Sequence, residues 1–100
     1  MQCGGFCKTE LTPEYLMALN TKRNEIETQL EKAFDHFETL EVKHQVVAGM
    51  NLIFRIKTQK EGEDCIFVKL FRDLQGVVHL VDIHPNKSLS DELVMIIPDT

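Results

Sequence analysis

An α+β fold, one long amphipathic helix packed on an antiparallel sheet of four long strands, follows from three features of the sequence. Apolar residues recur at helical spacing from about residue 13 to residue 37. The period then falls to two for most of the remaining chain. The joins between these period-two segments are short, and a parallel arrangement would need crossovers of about a dozen residues or more. A helix with one apolar stripe and a sheet with one apolar face each bury that side on the other. One hundred residues suffice for one core, so 1–100 is expected to be a single domain of two layers.

Residues 1–10 carry no helical pattern, and Gly4-Gly5 leaves the backbone loose there; the fold has room for a short fifth strand at this end. The run LTPEYL then marks a helix start. Thr12 can cap free amides, Pro13 suits the first helical position, and Glu14 faces the positive end of the helix dipole. Leu16, Leu19, Ile26, Leu30, Ala33 and Phe37 form one stripe, with Arg23 in the missing position, its stem covering apolar surface and its head in water. Lys22, Glu25, Thr28, Gln29 and Lys32 form the wet face, so one helix is predicted from about Pro13 to His36.

Strands are predicted over residues 40–46, 50–57, 65–71 and 77–83, with Pro85 ending the last. KEGED, residues 60–64, is a charged turn with a central glycine, and the apolar run ELVMII near the C-terminus is expected to lie along the sheet.

The net charge is −5 and there is no basic run, which disfavours nucleic-acid binding. No apolar run approaches the roughly 18 residues of a membrane span. No basic region followed by an apolar run opens the chain, so a cytoplasmic location is expected, with export by a leaderless route left open. Three cysteines, Cys3, Cys7 and Cys65, lack a disulfide framework and are expected to be reduced, although Cys3 and Cys7 could oxidise with each other or with another chain. His36, His44, His79 and His84 show no ligand spacing, and His79 and His84 are expected on opposite faces of a strand. Cys65 sits among apolar strand residues, where thiols are inert. Glu25, Glu27 and Glu31 read as the solvated side of the helix. No phosphate loop is present, no metal or cofactor is expected, and an enzyme built on Cys7 or Cys65 is disfavoured.

The first hairpin is the feature that calls for a function. Val47-Ala48-Gly49 joins two strands, and glycine at the last position of such a loop takes positive φ at little steric cost. Geometry does not account for Val47 and Ala48, because a hairpin tip normally carries polar residues. Strand direction alternates, so Leu74-Gln75-Gly76 falls at the same end of the sheet and the charged KEGED turn at the other. The Gly4-Gly5 end can reach the same rim. Three uncharged segments at one rim make a wedge, and a wedge suits a cleft.

Gln45-Val46-Val47-Ala48-Gly49 matches the Gln-x-Val-x-Gly motif of the cystatins. It does so in the context of one helix and four hairpinned strands, with Gly4-Gly5 about forty residues upstream and FRDLQG at the position of a second binding hairpin. The chain therefore resembles the stefin branch, type 1 cystatins, over nearly its whole length, and a cystatin-like fold is implied. The resemblance implies reversible inhibition of papain-like cysteine proteases, the cathepsins of L, B, H or S type. Gly4 and Gly5 would occupy the unprimed side, Gln45, Val46, Val47, Ala48 and Gly49 would cover the catalytic pair, and Leu74, Gln75 and Gly76 would touch the primed side. Stefins often carry Pro-Gly where this chain has Gln75-Gly76. A monomer is expected. The alternative is a non-inhibitory interaction module of the same fold, or a dimer that swaps elements at the first hairpin.

Overall fold

The computed structural model describes residues 5–95, so the expectations placed on Cys3, Gly4, Ile96 and Ile97 fall outside it. The described elements are β1 (Cys7–Thr9), α1 (Pro13–Asn20), α2 (Arg23–Leu30), β2 (Glu38–Val47), β3 (Gly49–Lys57), β4 (Asp64–Arg72) and β5 (Val78–Ser88). The strands form one five-stranded sheet in the order β1-β2-β3-β4-β5, every neighbour antiparallel. The short N-terminal strand is present.

The expected single helix is two. Thr12 caps α1 through its side chain, and Pro13 stands at the start, as the sequence indicated. At Thr21-Lys22 the winding tightens: Thr21 Oγ1 donates to the Ala18 carbonyl at 2.6 Å and the Lys22 amide reaches Leu19 at 2.9 Å. The second helix stops at Leu30 rather than His36, because Glu31 turns left-handed at φ 52°. The Lys32 amide then closes back on the Glu27 carbonyl at 3.0 Å, the bond that terminates helices in this conformation. Stopping here lets Phe34 bury, while Ala33, assigned to the stripe, is exposed. Arg23 and Glu27 hold the return: Arg23 donates to the Phe34 carbonyl at 2.6 Å, and the Phe34 amide donates to Glu27 Oε2 at 2.8 Å. Arg23 is thus a clamp lying over the Phe37 ring, and Glu27 is an acceptor rather than a solvated face.

The sheet is buried on both faces. On the helix side, Val42, Leu52, Phe54, Ile56, Ile66, Val68 and Leu70 pack against Leu19, Ile26 and Phe34. On the other side, Ile53, Cys65 and Phe67 lie under Leu93 and Met95, with Phe6 and Leu89 at the margin. The C-terminal segment therefore does lie along the sheet.

The last strand continues past Pro85 to Ser88. Cys65 pairs with Lys87 and Phe67 with His84, so Pro85 and Asn86 face Ile66 in a bulge. Asn86 has φ 63°. An edge strand tolerates proline at a bulge because no ladder bond is lost there. A second bulge, where Lys69 pairs with Asp82 and Leu70 with Leu80, leaves Val81 as the extra residue. That insertion reverses the parity, so His79 opposite Phe71 and His84 opposite Phe67 share one face, contrary to the simple odd count.

Arg55, 8% exposed, secures the back face. It donates to Glu41 Oε1 at 3.1 Å, to the carbonyls of Ser88 and Leu89 at 3.0 and 3.3 Å, and to that of Asp91 at 2.6 Å. Lys43 donates to the Leu93 carbonyl at 3.0 Å. Replacing Arg55 with Ala strands a half-buried carboxylate and three carbonyls and is expected to cost about 2–4 kcal/mol. Urea denaturation reads it, and an unchanged midpoint would show that the segment holds by its apolar contacts alone.

Candidate functional site

Three segments meet at the end of the sheet opposite the charged 58–63 connection. The first hairpin is tighter than predicted: β2 and β3 pair as far as Val47 with Gly49, leaving Ala48 alone at the tip. Gly49 takes φ 116°, and a Cβ there would lie 2.5 Å from the Arg72 carbonyl oxygen and 2.9 Å from Phe71 Cζ. Glycine is thus required twice, for its dihedral and for the close approach of β4. That approach sets the first hairpin against the start of the second. Val46 is 70% exposed, Val47 44%, and Ala48 is exposed, so none is sealed by the chain's own helix or tail. Gln45, one step behind, accepts from Asn51 Nδ2 at 3.0 Å, a cross-strand tie that stiffens the arms.

The second hairpin spans the residues between Arg72 and Val78, with Leu74 77% exposed and Gln75 and Gly76 exposed. Gly76 has φ 88°. Its organiser is Asp73, which sequence reasoning missed. The Asp73 backbone closes the turn with Gly76 and Val77, each at 2.9 Å. Its carboxylate accepts from the amides of Gln75 and Val77 at 3.0 and 2.9 Å and pairs with His79 at 3.1 Å. An Asp two residues before the turn centre, with Gly three residues on, is the available signal in Asp73-Leu74-Gln75-Gly76. The His79 hydrogen bond, then the Val77 amide, hold the Asp73 carboxyl below its ordinary value.

The third segment enters from β1. Cys7 pairs with His44 and Thr9 with Val42, so the chain before Cys7 runs toward Val46 and the same rim. Gly5 is exposed there, and a Cβ on it would meet nothing within 4 Å. Gly4 lies outside the described residues. The N-terminal turn of α1 braces the rim from the helix side: Tyr15 Oη reaches Met50 Sδ at 3.5 Å, and Glu14 forms an ion pair with Arg72.

The remaining candidates resolve without chemistry. Burial pushes the Cys65 thiol above its ordinary value, an inert state. Cys7 is disulfide-bonded, where a reduced thiol was expected. His79 and His84 pair with Asp73 and Asp82. Among the described residues no group of His, Cys, Asp and Glu could hold a metal, and no helix is long and apolar enough to cross a membrane.

The cystatin domain model matches residues 4–89. Stefin-3 of Mus musculus is 38% identical over 85 residues, covering 82% of this chain and 80% of that protein. Cystatin-B of Bos taurus is 33% identical over 97 residues, covering 93% and 97%, and Cystatin-A1 of Sus scrofa is 31% identical over 97 residues, covering 93% and 92%.

Replacing Gly49 with Ala is expected to destabilise the fold by about 1–3 kcal/mol or displace β4, whereas Gly5→Ala leaves stability unchanged. Thermal unfolding of the two variants side by side makes the comparison; equal effects would remove the close approach as the constraint. Asp73 has a lowered folded pKa, so its contribution is fully present above the unfolded carboxyl value of about 4 and is lost as pH falls through the lower folded one. The Gln75 and Val77 amide resonances should therefore titrate together, with a midpoint below that of a free aspartate. A midpoint at or above it would show that the turn does not depend on the carboxylate.

Proposed function

The chain belongs to the cystatin family, in its stefin branch, a family of cysteine protease inhibitors rather than enzymes, and from that premise we propose that it blocks papain-like proteases reversibly, as a wedge in the active-site cleft. The observation that carries this reading is the exposure of Val46, Val47 and Ala48 on a hairpin whose backbone is fixed by Gly49. Apolar side chains on a rigid projection gain by leaving water in a partner's groove, and the hairpin loses little entropy in doing so.

Each segment has a part. The first hairpin, Gln45 to Gly49, sits over the catalytic cysteine and histidine of the protease. Gly4 and Gly5 run along the unprimed side, where the absence of a Cβ gives the backbone clearance. Leu74, Gln75 and Gly76 touch the primed side. In the second hairpin Gln75 stands where stefins often have proline, and Asp73 supplies by hydrogen bonds the rigidity that proline would give by covalent geometry. No peptide bond is presented to the thiolate for attack, so the inhibitor is not consumed. The preferred partners are cathepsins of the L, B, H or S type, and the working location is the cytoplasm.

Titrating papain with the purified chain is expected to remove activity stoichiometrically, with the inhibitor recovered uncleaved. Val47→Asp should weaken inhibition by about tenfold to a hundredfold, the equivalent of one buried valine, without lowering the unfolding midpoint. Full papain activity at micromolar parent protein would overturn the reading in favour of an interaction module.

A further inference from the structure

The tips alone make a small interface. Among the described residues, the segments assigned to the cleft are 5, 45–49 and 74–76, fewer than half of the roughly 20–30 residues a side in an inhibitor interface of standard size. A complex of that size draws on surface behind the tips. Two large apolar residues lie exposed there, outside those segments: Val77 at 52% and Met17 at 68%.

Between α1 and the foot of the second hairpin runs an open groove of about 400 Å³. Met17, Ala18, Gly76 and Val78 line it, and its two charged residues, Glu14 and Arg72, are paired with each other. We propose that this groove is a further contact of the wedge, in which Met17 anchors an apolar side chain from the primed-side wall of the protease. This rests on the inhibitor reading and extends its contact surface onto the helix.

Continuity with the rim is the first argument. Gly76 belongs both to the second hairpin and to the groove, so a wall that touches the hairpin arrives at the groove's edge. Met17 stands three residues after Glu14, about 4.5 Å further along the helix axis, and thus one turn behind the rim. The position is also rigid. The Glu14–Arg72 ion pair and the contact of Tyr15 Oη with Met50 Sδ fix the start of α1 to the sheet, and the Asp73 carboxylate fixes the hairpin. Helix and hairpin therefore offer the groove in one shape.

The chemistry of the groove selects the occupant. With Glu14 and Arg72 satisfied by each other, an apolar side chain strands no charge on entering, whereas a charged one would find no free partner among the lining residues. Ala18 and Gly76 have little or no side chain to fill the space. Met17 is not needed by the fold. Leu19 is buried, Tyr15 and Ala18 pack against the helix-side core, and Met17 takes no part in it. Glutamine or lysine would serve the helix as well, so helix formation does not explain an apolar residue at this exposed position. A flexible thioether does suit a surface that must follow a partner's relief.

The test uses the full chain, deuterated and methyl-labelled, bound to papain whose catalytic cysteine is replaced by serine. Cross-saturation from the protease is expected to reach the Met17 methyl together with those of Val46 and Val47, and to spare the distant Leu40. Met17→Gln, a substitution that keeps helix propensity, is expected to dissociate about fivefold to tenfold faster than the parent, the effect of an apolar side chain partly returned to water, with an unchanged unfolding midpoint. Saturation of Val46 and Val47 without Met17, or dissociation of Met17→Gln at the parent rate, overturns the groove contact and leaves the inhibitor reading standing. A lowered unfolding midpoint assigns Met17 to the helix and overturns its part as an anchor. Failure of the parent to bind overturns both readings.

Discussion

The close approach of β3 to β4 at Gly49 is the constraint on which the candidate site depends. The Arg72 carbonyl occupies the space that a side chain at Gly49 would need. With φ at 116° as well, the turn is specified by backbone geometry and not by side-chain packing. That frees Val46, Val47 and Ala48 from any structural duty at the tip. Because the contact is with Arg72, the residue that ends β4, the two hairpins are positioned by one local packing event. The Glu14–Arg72 ion pair and the Tyr15–Met50 contact carry the same constraint to the helix.

Much of this was legible in the sequence, and the gaps have specific causes. Period-two patterning found the long strands because alternate residues of each pack toward the helix-side core, and Thr12-Pro13 found the helix start because capping is local chemistry. The helix end was missed because nothing in the stripe distinguishes Ala33 from a buried residue. The stop is decided by the tertiary gain of burying Phe34, held by Arg23 and Glu27. Pro85 was read as a terminator because the bulge that accommodates it exists only in the pairing with β4. The same limit misplaced His79 and His84, since parity along a strand holds only where no residue is inserted. At the site, Gly49 and the rim were readable from turn chemistry and strand direction. Asp73 was less legible because its part is played through hydrogen bonds to the Gln75 and Val77 amides and to His79, which form only once the turn is closed.

Arg55 shows a different limit. A charged residue between Phe54 and Ile56 reads as the wet side of a strand. Yet it is buried, with its guanidinium bonded to Glu41 and three carbonyls of the C-terminal segment. A planar fork of donors can satisfy several acceptors at once, and so a buried arginine can hold an irregular segment whose own carbonyls would otherwise go unpaired. The sheet thereby acquires a second covered face without a helix on that side.

That division of labour explains how a chain of this size can leave large apolar residues in water. The two clusters on either face of the sheet draw on residues of the strand centres, the helices and the C-terminal segment, and none of Val46, Val47, Ala48, Leu74 or Gln75 belongs to them. The rim is attached to the core through backbone hydrogen bonds, the Gly49 contact and the Asp73 carboxylate, interactions that do not use the side chains at the tips. Under the proposed inhibition, changes of tip side chain would therefore act on association and not on folding. Changes at Gly49 or Asp73 act on shape first and on association only as a consequence. A rim whose side chains are free and whose backbone is fixed presents its exposed residues in one arrangement, and under the proposed inhibition a protease cleft would gain from that because little remains to be ordered on contact.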